Sequence, residues 1–272
     1  MSIPPASSPS DVIDAVLADP PSALLALDFD GTLAPIVARP EDARPADGAR
    51  DVLASLAVRL GGVAIVSGRD AEEIVRLLGI ADVPGIQVAG HYGLQLWHDG
   101  ALTSPEPAPG VAIARARLAS VLEGSDPGVR VEDKHHSLAI HTRGASHPDI
   151  ELAALQPALE DLADACELEA VLGRYVIELR PRGTDKGSAL RALVERASPL
   201  VVVFVGDDLG DLPAYDVIEA LRADGRIAGL TVASVDPADA DTPPQVAERA
   251  DMVLEGPTAV VAWLHGLAAM LP

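Results

Sequence analysis

Short apolar runs that end in acidic or small polar residues recur along this chain, and stretches with helical spacing lie between them. Residues 24–27 (LLAL) read as a buried strand running straight into DFDGT. Residues 47–60 carry apolar side chains at 52, 53, 56, 57 and 60, the stripe of an amphipathic helix. A second buried strand at 63–66 ends in Ser67-Gly68-Arg69-Asp70, a helix follows through 71–78, and 86–89 forms a third strand. Upstream, 11–18 has helical spacing with Ser10 as its N-cap, while prolines mark 35–45 as a surface flap. Alternating strands and helices predict parallel strands joined by right-handed crossovers.

Near Trp97 the rhythm changes. A helix over 111–122 leads into extended runs at 129–134 and 137–143, which can pair. A helix over 150–165, interrupted by Pro157, precedes a hairpin-like pair at 167–172 and 175–179. The first rhythm resumes at Gly183. It predicts helices over 186–196 (N-cap Thr184 or Asp185), 212–223, 246–250 and 258–270, and strands over 200–205, 230–235 and 252–254. The fold class is therefore α/β, a parallel-sheet core formed by residues 1–93 and 182–272 with a smaller α+β unit, residues 94–181, inserted into it.

Composition narrows the partners. With Lys plus Arg at 20 and Asp plus Glu at 41, the chain carries a formal charge of −21. Such a field disfavours nucleic acid and anionic membrane surfaces. It also disfavours a phosphate ester unless a local cation offsets it. The lone cysteine, Cys166, excludes an intrachain disulfide and fits a reducing compartment. The Pro- and Ser-rich residues 1–10 read as loose, with neither the basic nor the apolar region of a signal peptide. Residues 256–272 are too short and too interrupted to span a membrane. A cytoplasmic protein, monomeric or weakly dimeric, is the expectation. Among 20 basic residues only Lys134 and Lys186 are lysines, so both are candidates for places that need a compact ammonium.

Candidate chemistry gathers where strands end. Asp28 and Asp30, two apart on extended backbone, leave the same face at the carboxyl end of a strand, where ligands of open α/β sheets bind. Gly31 lets the chain turn, and Thr32 offers a hydroxyl and a free backbone N–H. Ser67, Lys186 and the cluster Asp207, Asp208 and Asp211 occupy equivalent strand ends or helix starts. One carboxylate of such a pair can attack while its neighbour moves protons.

In this order and context, DFDGT, IVSGR, DKGSAL and VGDDLGD resemble the four motifs of the haloacid dehalogenase superfamily of phosphatases. The resemblance implies a Rossmann-like core with a C2-type cap that closes over the substrate. It implies Asp28 as nucleophile, Asp30 as acid and base, and Ser67 and Lys186 as phosphoryl ligands, with Gly31, Thr32 and Gly68 lining the phosphate site. Mg²⁺ would sit among Asp28, the Asp30 backbone carbonyl and Asp207, with Arg69, Asp208 and Asp211 behind these groups. In the insert, E-x-K at Glu132 and Lys134, H-x-R at His141 and Arg143, and E-x-R-P from Glu178 resemble trehalose-6-phosphate phosphatases. GHYG resembles that family's core–cap turn and places His91 near it. The resemblance implies a sugar-phosphate substrate, trehalose 6-phosphate, with Glu132, Lys134, Arg143 and Glu178 binding glucose. Departures from the family pattern are Gln95, Gly210 and Leu212. Another sugar or pseudo-disaccharide phosphate, a phosphomutase, and a catalytically silent sugar-phosphate sensor are the competing readings.

Overall fold

The computed structural model describes residues 8–37, 39–236 and 243–272, so most of the Pro- and Ser-rich start lies outside the described residues. In the larger unit the chain runs α1 (Pro9–Ala18), β1 (Ala23–Leu27), α2 (Ala49–Ala57), β2 (Gly62–Val66), α3 (Ala71–Leu78) and β3 (Ile86–Gly90). It continues with β4 (Gln95–His98) and β5 (Ala101–Thr103). A smaller unit follows: α4 (Pro109–Val121), β6 (Arg130–Asp133), β7 (Leu138–His141), α5 (Pro148–Ala165), β8 (Leu168–Gly173) and β9 (Val176–Pro181). The chain then returns through α6 (Lys186–Ala197), β10 (Val201–Gly206), α7 (Leu212–Ala223) and β11 (Ala228–Ser234). It ends in α8 (Pro244–Arg249), β12 (Met252–Leu254) and α9 (Gly256–Met270).

The large sheet has the order β12-β11-β10-β1-β2-β3-β4-β5 among the described residues. From β12 to β3 every pairing is parallel. Both faces of its centre are covered. Leu25, Leu27, Val63 and Ile65 belong to one apolar cluster, with Val52, Leu56, Ile74 and Val260. Leu24, Ala26, Val202 and Phe204 belong to another, with Leu190, Tyr215 and Ile218. That two-sided burial explains why β1 and β10 are unbroken apolar runs.

The compact units divide between Ser104 and Pro105 and between Thr184 and Asp185. The change of rhythm at Trp97 is an antiparallel β4–β5 hairpin on the large sheet, so these residues lie outside the inserted unit in which the sequence pattern places them. In the smaller unit the antiparallel order β6-β7-β9-β8 joins the two expected hairpin-like pairs edge to edge. Its core is built from Leu138, Ile140, Ile177 and Leu179 with Val111, Leu159 and Leu162 of α4 and α5.

Local starts follow capping chemistry. Helix α1 begins two residues earlier than the spacing predicts, with Ser8 rather than Ser10 accepting the Asp11 N–H at 3.3 Å and Pro9 at the tolerant first position. Asp185, not Thr184, caps α6, in a reciprocal pair with Ser188. Among the described residues no helix is long and apolar enough to cross a membrane.

Candidate active site

The central strand order places the ends of β10, β1 and β2 side by side, and the motif residues follow those ends. The Asp28 N–H still donates to the Val205 carbonyl at 2.9 Å, so the first carboxylate leaves a backbone held by the sheet. The chain then folds on itself: the N–H groups of Leu33 and Ala34 both reach the Phe29 carbonyl, and Gly31 donates to Ala34 at 2.7 Å. Gly31 has φ +76°, and a Cβ there would overlap the Asp207 carboxylate. Its carbonyl accepts the buried Ser234 hydroxyl at 2.7 Å. The Thr32 N–H, expected to be free, has Phe29 O as acceptor at 3.4 Å, because the turn consumes it. The Thr32 hydroxyl donates to Asp207 at 3.2 Å. Gly31→Ala therefore combines backbone strain with overlap, and is expected to cost more than about 2 kcal/mol, read as a lowered urea midpoint.

Lys186 enters from the first turn of α6. Its Nζ lies 2.9 Å from Asp28 and 2.8 Å from Asp211, with Asp208 at 3.6 Å. Asp211 is fully buried, and its second oxygen accepts the N–H groups of Asp207 and Asp208 at 2.9 and 3.0 Å. With both oxygens engaged, Asp211 holds Lys186 and shapes the turn after β10. Gly206 leaves room for it, since a Cβ there would overlap the Asp211 carboxylate.

Asp28, Asp207 and Asp211 each offer an oxygen within 4.8 Å of the others, and all three are buried. Burial pushes Asp28 up to about 6, against the pull of Lys186, with Asp208 and Asp30 adding to the rise. Burial, and then Asp28, push Asp207 well above the usual carboxylate range. Asp211 also rises through burial, with Lys186 opposing and Asp28 adding. Burial works against the Lys186 ammonium, but Asp211 and Asp28 outweigh it and raise that group. Three buried carboxyls against one ammonium would leave an excess of negative charge if all were ionised, which the raised values resist and a bound cation would relieve. A hard divalent cation with oxygen ligands fits that donor set, which contains neither His nor Cys.

The second motif stands beside this cluster, on the strand next to β1 in the sheet. Ser67 is buried just past β2, with its N–H on the Ala89 carbonyl at 3.0 Å. Arg69 grips Asp30 with two bonds of 2.7 Å, so the second carboxylate of the motif faces a guanidinium. The GHYG turn crosses this loop, with His91 N donating to Arg69 O and Tyr92 N to Ser67 O, each at 2.9 Å. His91 and Tyr92 both adopt positive φ, 46° and 56°. Any Cβ on Gly68 would strike the Tyr92 hydroxyl, which explains glycine there. Tyr92 is not among the residues the sequence singles out, because positive φ in a non-glycine residue has no compositional signature. His91 is buried, 3.7 Å from the Asp70 carboxylate. Gln95 accepts the Ala71 N–H and donates to Asp70, each at 2.9 Å, so this departure from the family pattern supports the cap of α3.

In the smaller unit, Glu178 is buried on β9, accepts the Ser137 hydroxyl at 2.5 Å and lies 3.6 Å from Lys134. Glu132 meets His141 at 2.9 Å. Arg143 lies over the Tyr175 ring, 5.8 Å from its centroid. Ser137, distant from Glu178 in sequence, gives no signal of its own.

A parallel sheet carrying carboxylates and a lysine at its strand ends, interrupted by an α+β insert, defines the haloacid dehalogenase fold. A haloacid dehalogenase-like hydrolase from Bacteroides thetaiotaomicron superposes with a TM-score of 0.63 at 15% identity, over 90% of this chain and 99% of that one. Residues 26–243 match the trehalose-phosphatase family, and the chain belongs to it. A trehalose-phosphate phosphatase from Mycobacterium avium is 37% identical over 216 residues, 75% of this chain and 52% of that protein. The C-terminal domain of Candida albicans trehalose-6-phosphate phosphatase superposes with a TM-score of 0.76 at 23% identity, covering 100% of this chain and 99% of that one. The chain spans about half the length of the curated relatives it matches.

Proposed function

We propose that the chain hydrolyses trehalose 6-phosphate to trehalose and phosphate, through a phosphoryl group carried transiently on Asp28. The observation that carries this reading is the convergence of Asp28, Lys186 and Asp207 at one edge of the sheet, in a chain of the trehalose-phosphatase family. Asp28 attacks phosphorus, and its new O–P bond replaces the bond to the sugar oxygen. That oxygen takes the electron pair and a proton from Asp30. Asp30 then receives a proton from water as the water oxygen bonds to phosphorus and the electron pair returns to Asp28. Ser67 and Lys186 hold phosphoryl oxygens, and Gly31, Thr32 and Gly68 keep that side of the site narrow. The donor set suits Mg²⁺, which Asp28, Asp207 and the Asp30 carbonyl would hold and which would offset the negative charge of the phosphoryl oxygens. Arg69 and Asp211 support these groups through the bonds described, with Asp208 at the rim.

Sugar preference rests on Glu132, Lys134, Arg143 and Glu178, with His91 of the GHYG turn as a further substrate-binding residue. The lone buried cysteine supports a reducing, cytoplasmic setting, with the chain a monomer or weak dimer. Phosphate release is expected at least tenfold faster in kcat/KM from trehalose 6-phosphate than from glucose 6-phosphate, and to stop on addition of EDTA. Equal rates on the two esters would assign the chain to a broader sugar-phosphate phosphatase.

A further inference from the structure

Asp30 is held in a manner that bears on the water-activating half of the proposed reaction. Arg69 Nε donates to one Asp30 oxygen and Nη2 to the other, both at 2.7 Å. The guanidinium is itself fixed: Nη1 donates to Glu73 at 2.9 Å, and Cζ stands 5.5 Å from the Phe29 ring centroid. The Arg69 side chain is 12% exposed and that of Asp30 37%, so the clamp is enclosed while the carboxylate it holds still meets solvent. Residues 30 and 69 are brought together by the β1–β2 pairing, and Glu73 by the first turn of α3.

We propose that Arg69 is a positioning residue for the water-activating half of the reaction, orienting Asp30 as proton acceptor when the phosphoryl group on Asp28 is hydrolysed. This rests on the phosphoryl-transfer reading above. Two parallel N–H bonds fix the plane of a carboxylate as well as its place, which a single contact does not. A carboxylate receiving an N–H on each oxygen keeps its outer lone pairs for a water molecule. Acceptance needs such a lone pair aimed at the water, which the fixed carboxylate plane provides, and the proton so gained is the one later given to the sugar oxygen, so a leaving group that needs no proton isolates the accepting step. Arg69 touches no reacting atom in this scheme. It acts through Asp30.

The test uses p-nitrophenyl phosphate with Mg²⁺, because its leaving group departs without a proton and does not depend on the identity of the sugar. In Arg69→Met, kcat is expected to fall about 100-fold. KM should fall in parallel, leaving kcat/KM within threefold of wild type, and rapid mixing should reveal a burst of nitrophenol equal to the enzyme concentration. Arg69→Lys, which keeps the charge and one bond, should show the same pattern at about a tenfold loss, and it carries the test should the methionine variant fail to fold. Adding Arg69→Met to Asp30→Asn should cost no further activity. Parallel losses in kcat and kcat/KM without a burst would overturn the proposal, as would an additive double variant. Wild-type turnover of p-nitrophenyl phosphate without turnover of trehalose 6-phosphate would refute the sugar assignment and leave this one standing.

Discussion

Asp28→Asn is expected to lower turnover by at least about 10⁴-fold while making the metal-free protein more stable at neutral pH. In the proposed reaction that loss follows from removing the attacking oxygen, since removal of a nucleophile is not compensated by the rest of a site. The gain follows from electrostatics. A carboxyl whose folded value is raised from 3.8 to about 6 binds its proton more tightly in the native than in the unfolded state. Its ionisation therefore costs stability. The cost is absent below about pH 4, grows as pH rises, and is fully present above about pH 6. A rise of that size corresponds to about 3 kcal/mol. The asparagine variant should thus unfold at higher urea concentration than wild type at pH 7.5, by roughly 1–3 kcal/mol, and at the same concentration at pH 4. Mg²⁺ should raise the Tm of wild type and leave that of the variant nearly unchanged. An asparagine variant less stable than wild type at pH 7.5 would refute this account of the buried charge.

Lys186→Met is expected to produce the opposite stability change with a comparable kinetic loss. The ammonium lies within 2.9 Å of both Asp28 and Asp211, and it is itself buried. Removing it leaves Asp28, Asp207 and Asp211 together without their cation, and an uncompensated buried charge typically costs about 3–5 kcal/mol. Turnover should fall about 10³-fold, the scale of losing an electrostatic contact to the reacting group. Because the carboxylates of the variant can take up protons instead, its stability deficit should shrink as pH falls from about 8 to about 5. Urea midpoints at those two values check this, and an undiminished deficit would exclude the electrostatic explanation. Methionine keeps the length and much of the volume of the lysine stem, so the contrast reports charge more than packing.

How far the sequence reaches can be judged from particular elements. The bounds of α3, α7 and β12 agree with the apolar pattern, because each carries a one-sided or unbroken apolar signal of its own. The hairpin β4–β5 has no such signal: β5 is exposed throughout and exists because β4 offers it a partner. The start of α1 differs from the spacing because the capping hydroxyl that wins is the one preceding a proline. In the site, the motif residues at 28, 67, 186 and 207 are legible since each follows a strand or opens a helix. The partners are not. Arg69 lies 39 positions from Asp30, Ser137 lies 41 from Glu178, and Thr32 lies 175 from Asp207.

By itself the sequence determined the α/β class, the inserted unit and the residue types that make phosphoryl transfer feasible, since apolar periodicity and strand-end chemistry are written locally along the chain. Only the tertiary structure decided which charge meets which. Parallel pairing in the order β10-β1-β2 sets Asp207, Asp28 and Ser67 on neighbouring strand ends, and the entry of α6 drives Lys186 between Asp28 and Asp211. The same packing turns Asp30 toward Arg69 and closes Gly31 against Asp207. The physical reason is that electrostatic and hydrogen-bond energies depend on distances of a few ångströms between residues far apart in sequence, and those distances are fixed only when the apolar faces of the sheet are buried.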